Sequence, residues 1–414
     1  MIKYSLKSCF MPYPSNQHFP LAFTAACVAM TSVTYGMGRY AYGLFLPSIG
    51  AQLDLTTFDL ALIASLNAIL YLVATIVASA TAIHFRPRTF ILLSGVTTTA
   101  GLLLAGMATS VAVATVGIVL AGIGAGILSP AMFEAIEAWL PVQWKPRAIG
   151  AVNAGAAPGI VLTGLAAYWL QSSWQQAWIV MAGIGLVVTL WHFWLIPTAR
   201  LPRPASGVAL PLGFSLFTRR ACMPLYVSVF VYGLLLSTYL TFAVDLVLST
   251  GGMAFPMDRL FWVLLGLAGL PAMLTGAAVL RLGVRGLLAI SMPACGLSYA
   301  LLALAPGNQL VVITSAILFG AASIAPGNGF LVWGISLFRE RPSIGSGTVF
   351  VVLSIAIIIG PILFGIIATQ IGSQGFFLVM AVLSVAIVPL FPRAIFSTGH
   401  AGDQALLDNP TADF

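Results

Sequence analysis

The stretch Ser32-Val-Thr-Tyr35-Gly36-Met-Gly38-Arg39-Tyr40-Ala-Tyr42-Gly43-Leu-Phe-Leu-Pro47 lies inside a long apolar run that begins near Phe19. Arg39 is the only Lys or Arg that sits well inside an apolar segment of this chain. A guanidinium in a lipid-spanning helix is costly unless it faces a partner, water or a solute. Tyr35, Arg39 and Tyr42 are spaced i, i+4, i+7, so a regular helix puts all three on one face. The expectation is a polar, aromatic stripe on an otherwise apolar or small-residue helix.

Composition widens this reading to the whole chain. Of 414 residues, 60% are apolar and 7% charged, and mean hydropathy is +1.05. Soluble domains carry about 25% charged residues, so a fully water-exposed surface cannot be built here. The chain reads as a polytopic membrane protein whose solvent is the lipid bilayer. The first eighteen residues are polar, carry Lys3 and Lys7, and show no signal-peptide cleavage pattern. A net charge of +7 sits in short loops and marks topology rather than nucleic-acid binding. Cys9, Cys27, Cys222 and Cys295 show no CxxC spacing, so neither a metal site nor a disulfide framework is expected. No P-loop, HExxH or GxSxG motif occurs, which argues against an enzyme and against a bound cofactor.

Apolar runs of membrane-spanning length recur at roughly 19–49, 57–83, 89–108, 111–138, 148–171, 174–196, 222–249, 259–281, 285–304, 309–337, 344–371 and 374–396. Each approaches or exceeds the ~20 residues needed to cross a bilayer core. The expected fold is an all-α membrane protein with twelve transmembrane helices. One set of loops holds His84, Arg86 and Arg88, then Lys145 and Arg147, then Arg200, Arg203, Arg219 and Arg220, then Arg281 and Arg285, then Arg339 and Arg341, and finally Arg393. The alternate set holds little beyond Asp54, Asp59, Asp258 and Arg259. The basic set is expected to be cytoplasmic, with both termini on that side of the plasma (inner) membrane. The division is a cytoplasmic segment at 1–18, a six-helix half at 19–196, a cytoplasmic linker at 197–221, a second half at 222–396 and a polar tail at 397–414.

An internal repeat supports that division. Tyr35-Gly36 and Tyr42 match Tyr232-Gly233 and Tyr239 at an offset of 197 residues. Arg88 matches Arg285, Ser94 matches Ser291 and Gly150 matches Gly347 at the same offset. Gly124 and Pro130 match Gly320 and Pro326 at 196. Six spans between equivalents leave the halves in the same orientation, related by a pseudo-two-fold along the membrane normal.

Twelve spans, termini on one side, a central basic loop and parallel halves together resemble the major facilitator superfamily from about Phe19 to Phe396. Gly276-Ala-Ala-Val-Leu280-Arg281-Leu-Gly283-Val-Arg285 is similar to that family's loop motif, with Leu280, and Ile83 in the first half, where an acid is usual. Gly155-Ala-Ala-Pro158-Gly159 is a fragment of the Gly/Pro motif associated with antiporters, and the Arg-aromatic stretch resembles one in proton-coupled peptide transporters, with Gly38 in place of its Glu. The resemblance implies a secondary transporter, with spans one, four, seven and ten lining a central cavity.

It also implies where solute binds. Arg39, Tyr35, Tyr42, Tyr232 and Tyr239 are expected at the cavity, with Asn67 and Tyr71 of span two and Asn328 and Trp333 of span ten beside the Pro326-Gly-Asn-Gly329 break. Asn67, Tyr71 and Thr75 at i, i+4, i+8 could equally bond helix to helix. Arg39 is read either as a bidentate clamp for a carboxylate or similar oxyanion, or as a structural cation bonded to carbonyls or to an acid on another helix. Asp245 and Glu134 are the candidates for proton coupling. Asp245 is expected to leave the tyrosine face, and Glu134 and Glu137 to pair with Arg86, Arg88, Lys145 or Arg147. The leading function is a carrier for a small organic anion such as a monocarboxylate, with protons as a candidate coupling ion. The alternative is an efflux carrier for amphipathic compounds in which Arg39 is structural.

Overall fold

The computed structural model describes residues 19–81, 86–141, 143–170, 173–196, 220–249, 257–338 and 342–392. The segment 1–18, most of the linker 197–221 and the tail 397–414 lie outside the described residues. Among those described there is helix and turn but no strand. The apolar runs have no period-two alternation, and in lipid a backbone must satisfy its own hydrogen bonds.

The first run becomes α1 (Phe19–Thr31), a π-helical turn at Ser32–Arg39, and α2 (Ala41–Leu53). Next come α3 (Thr57–Thr81), α4 (Pro87–Gly106) and α5 (Val111–Trp139), which continues through Pro130. The fifth run is broken into α6 (Lys145–Asn153) and α7 (Ala156–Trp169), and α8 (Trp174–Leu195) closes the first half. The second half opens with α9 (Met223–Ser249) and α10 (Met257–Gly269), followed by a 3-10 turn at Leu270–Leu274. Then come α11 (Thr275–Leu304), α12 (Gln309–Ser323), α13 (Ala325–Leu337) and α14 (Pro342–Ala386).

Among the described residues, ten helices are individually long and apolar enough to cross a membrane. Two features carry that number to the expected twelve. The last of the ten runs 47 residues, Ile344–Leu390, and breaks at Gly372, whose φ is 75°. Phe364 and Phe376 on either side of the break have ring centroids 5.0 Å apart. Twelve residues of straight helix would separate them by about 18 Å, so the chain folds back into two spans. The eighth run is assembled from α10, the 3-10 turn and the start of α11, ending at Gly283 with φ 66°. Both glycines occupy the left-handed region that only Gly takes without strain. They stand at the gaps the apolar pattern leaves at 282–284 and 372–373.

The halves meet along three seams near the end of the bundle remote from Phe19. In the first, α2 crosses α9 so closely that a Cβ on Gly43 would stand 1.7 Å from the Leu240 carbonyl oxygen. In the second, α3 packs on α14, where the Ser65 hydroxyl donates to Ile358 C=O at 2.9 Å and Gly365 sits against Phe58 and Ala61. In the third, α7 packs on α10 through Gly164 against Val263 and Gly266 against Val161. Shifting by six spans exchanges the second seam with the third, as a pseudo-two-fold requires.

Gly43→Ala would therefore force the α2–α9 seam apart. The expected outcome is a folded protein in which a cysteine at Thr241, with the native cysteines removed, reacts several-fold faster with a maleimide added from the seam side. Unchanged labelling would sink this account of the seam.

Candidate functional site

The site begins with the π turn. In Ser32–Arg39 two glycines of low helix propensity flank Met37, and Gly36 lies so close to Gly159 of α7 that a Cβ would be 2.4 Å from its Cα. The helix yields there: Tyr40 N–H donates to Tyr35 C=O, five residues back, at 2.9 Å. A π turn accommodates one extra residue, so everything after it is rotated by roughly 100° relative to a regular helix. The Ser32 hydroxyl donates to Gly155 C=O at 2.7 Å, at the break where α6 and α7 part.

That rotation corrects the single-face expectation. Tyr35 and Arg39 stay together, while Tyr42 turns away. Tyr42 is 4% exposed and its hydroxyl donates to Leu60 C=O at 2.9 Å. Arg39 instead acquires Tyr40, absent from the expected set. Its guanidinium carbon lies 3.6 Å from the Tyr71 ring centroid, 5.8 Å from that of Tyr40 and 5.9 Å from that of Tyr35. The Tyr35 and Tyr71 hydroxyls share a hydrogen bond of 2.9 Å. Such a cation–π contact contributes about 2 kcal/mol when desolvated. Arg39 makes no ion pair among the described residues, so the expected alternative of an acidic partner on another helix is not observed there.

Arg39 and its tyrosines stand at the seam end of a cavity of about 450 Å³ between the halves. Its walls include Leu128, Met132, Ile160, Leu265, Val349 and Leu353, with Tyr232 and Asn328 from the second half. These residues come from α5, α7, α9, α10, α13 and α14, on the side of the seams toward Phe19. Arg39 is the only charged side chain among the described lining residues. Beyond Arg39 a chamber of about 50 Å³ is lined by Tyr42, Asn67, Ser237 and Thr241. Arg39, Tyr40, Leu236, Leu240 and Ile357 border both spaces and partition them.

The remaining expected residues divide. Tyr71, Tyr35, Tyr232 and Asn328 line the cavity with Arg39. Tyr232 also donates to Ser323 C=O at 2.8 Å, a carbonyl at the break between α12 and α13. Asn67 belongs to the helix-bonding reading: its amide donates to Ile118 C=O at 2.7 Å, and it reaches only the small chamber. Thr75 likewise contacts Gly126 C=O at 3.1 Å. Tyr239 is off the cavity wall. It is 0% exposed, stacks on Phe319 at 3.7 Å between centroids and shares a 2.6 Å hydrogen bond with Ser315. The cavity-facing stripe of α9 drifts through Tyr232, Leu236 and Leu240, which leaves Tyr239 on the adjoining face, against Phe261, Tyr299 and Phe319 of its own half. Trp333 is buried and stacked beside Phe330 at 6.4 Å rather than lining the cavity, because five residues of helix set it roughly 140° around α13 from Asn328.

Neither proton candidate lines the cavity. Asp245 is half-buried on α9 past the partition, and Glu134 is half-buried on α5. Glu137, not Glu134, pairs with Lys145, and Glu134 makes no ion pair among the described residues. Besides Tyr40, the expectation missed Asn153, the one Asn of the fifth apolar run, which is exposed to the cavity at the end of α6. Its polarity in that run was a usable signal. Tyr40 had no such signal, because in a regular helix it points away from Tyr35.

The model of the Major Facilitator Superfamily matches residues 28–352. The chain belongs to that superfamily. This major facilitator shares its fold with a D-xylose–proton symporter, at TM-score 0.72 and 12% identity over 90% of this chain and 97% of the other. The nucleoside transporter NupG superimposes at TM-score 0.70 with 14% identity, covering 90% and 100%. A bacterial homologue of the human lysosomal transporter Spinster, inward-facing and unoccupied, does so at TM-score 0.70 with 13% identity, covering 91% and 96%. Among curated proteins none matches the chain in sequence. The protein is thus a multi-pass secondary transporter of a small molecule, not an enzyme. Alternating access is typical of its fold.

Tyr239→Phe tests the placement of that tyrosine in the packing of the second half. The hydrogen bond to Ser315 is expected to contribute about 1 kcal/mol, seen as a lower melting temperature of the purified carrier with an unchanged KM for its solute. Ser315→Ala should cost a similar amount, and the double variant little more. A raised KM with an unchanged melting temperature would return Tyr239 to the cavity.

Proposed function

We propose that the protein carries an organic anion, a monocarboxylate being the leading class, across the plasma membrane by alternating access. The observation that carries this reading is Arg39: one guanidinium, without an acidic partner among the described residues, at the closed end of a cavity whose other described walls are uncharged. Tyr71 covers one face of the guanidinium. The edge that remains is a fork of N–H donors matched to the two oxygens of a carboxylate. An anion there neutralises a buried charge, which supports affinity as well as orientation.

The side toward Phe19 is taken as cytoplasmic, with both termini there, on the strength of the basic loops. The cavity then faces inward and the three seams form the closed outer gate. Efflux of amphipathic compounds, with Arg39 structural, draws support from the apolar walls. It leaves unexplained why a structural cation should be caged by tyrosines on the cavity wall instead of being paired with an acid. Protons remain the proposed coupling ion, with Asp245 and Glu134 as the acids to test.

In proteoliposomes, uptake of a labelled monocarboxylate is expected to fall ten- to a hundredfold in Arg39→Gln, from loss of a charged hydrogen bond of about 1.5–3 kcal/mol. Tyr71→Leu should weaken uptake more than Tyr71→Phe, which keeps the ring beneath the guanidinium. Equal transport by Arg39→Gln and the parent would defeat the anion reading. If protons drive accumulation through Asp245, Asp245→Asn should abolish its dependence on an imposed pH gradient and Glu134→Gln should not. The reverse result would assign coupling to Glu134.

A further inference from the structure

The geometry points to a narrower solute class than organic anions at large: a monoanion with one bulky, apolar or aromatic body, bound with its charge foremost against Arg39. This rests on the anion reading above. Four observations support it.

The first is the count of charges. Arg39 alone is charged among the described lining residues. A second anionic group would lie against neutral walls, and an ammonium group would meet no carboxylate. Either leaves a charge desolvated without a partner. Dianions, cations and zwitterions are therefore disfavoured by the same wall.

The second is where the charge sits. Behind Arg39, Tyr40 and Leu236 the space shrinks to about 50 Å³. A water needs roughly 10–15 Å³ on this measure and a benzene ring about 150 Å³, so the chamber has room for a few waters and none for a ring or other bulky body. The solute's body must extend the other way, into the large cavity.

The third is what it meets there. At about 450 Å³ the cavity is in the range that encloses drug-sized ligands. Leu128, Met132, Ile160, Leu265, Val349 and Leu353 form much of its wall. A small hydrophilic anion such as acetate would leave this apolar surface wet and recover nothing from it. A ring or alkyl body displaces that water and buries the apolar wall. Tyr35, Tyr40 and Tyr71 beside the guanidinium also present aromatic surface to a flat group next to the charge.

The fourth concerns the neutral polar groups on the wall. Asn153 and Asn328 line the cavity, and neither amide makes a hydrogen bond to the described residues. Two uncommitted amides can accept a neutral polar substituent such as a hydroxyl or carbonyl. They cannot neutralise a second charge.

The test uses the full-length purified carrier and sulfonates, which stay ionised at any working pH. Binding is measured by calorimetry and by the rise in melting temperature for naphthalenesulfonate, naphthalenedisulfonate, methanesulfonate, taurine, naphthylmethanol and naphthylmethylammonium. Naphthalenesulfonate is expected to bind at least tenfold more tightly than every other probe. Its binding should be lost in Arg39→Gln and partly kept in Arg39→Lys. Equal binding of the disulfonate, methanesulfonate or taurine would overturn the proposed class while leaving the anion reading intact. Equal binding of the alcohol or the ammonium would overturn both. No binding of naphthalenesulfonate at millimolar concentration would also overturn the class. The ranking on the unaltered protein decides the matter even if the Arg39 variants fail to fold.

Discussion

A guanidinium resting on a tyrosine ring at 3.6 Å, inside a bundle of apolar helices, is the contact around which the cavity is arranged. Removing a full positive charge from water is expensive, and a carboxylate on a neighbouring helix is the usual remedy. Here three tyrosines take that place. Their π faces stabilise the cation without neutralising it, so the charge remains available at the cavity wall. The Tyr35–Tyr71 hydrogen bond ties the cage across α3 and the first span, fixing the guanidinium plane by two rings joined to each other.

The same contact depends on a distorted backbone. Arg39 and Tyr40 can both face inward only because the π turn inserts an extra residue into the first span. That turn is in place because Gly36 and Gly159 bring two helices to backbone contact. Freed polar backbone groups recur wherever these helices break, and in lipid each needs a donor or acceptor of its own. Ser32 supplies one for the break at Gly155, and Tyr232 supplies one for the break at Ser323. Both donors sit on the first span of their half, and both breaks border the cavity. Helix irregularity is thus concentrated where the halves separate, while the seams are built from small residues in close register.

The two halves are equivalent in layout and unequal in content. Position 236, the repeat partner of Arg39, is Leu, and it faces the same partition from the other side. Tyr239, the partner of Tyr42, is locked into an aromatic cluster with Tyr299, Phe319 and Phe377. A symmetric frame with one charged element gives the cavity a polarity along the solute axis. A solute with a charged end and an apolar end fits such a polarity.

Span count, the paired halves and Arg39 as the exceptional residue were all legible in the sequence, because burial in lipid imposes a continuous apolar pattern and makes any charge within it conspicuous. Even the sharp turns at Gly283 and Gly372 fall where that pattern is interrupted. Tyr35 beside the charge was legible from its spacing; that Tyr40 joins it and Tyr42 leaves was not. Spacing arguments assume 3.6 residues per turn, and the π turn at Ser32–Arg39 breaks that assumption in the one place where it matters most. Tyr42, Tyr239, Asn67 and Trp333 carry the polarity or aromaticity expected of a cavity wall, yet each is consumed by packing or by a hydrogen bond between helices. Tyr40 and Asn153 line the wall with no periodicity to announce them. Local sequence thus determined the elements, their number and the presence of a lone cation. The tertiary structure decided which side chains share its cavity, since that depends on close helix contacts and backbone breaks that join residues far apart in the chain.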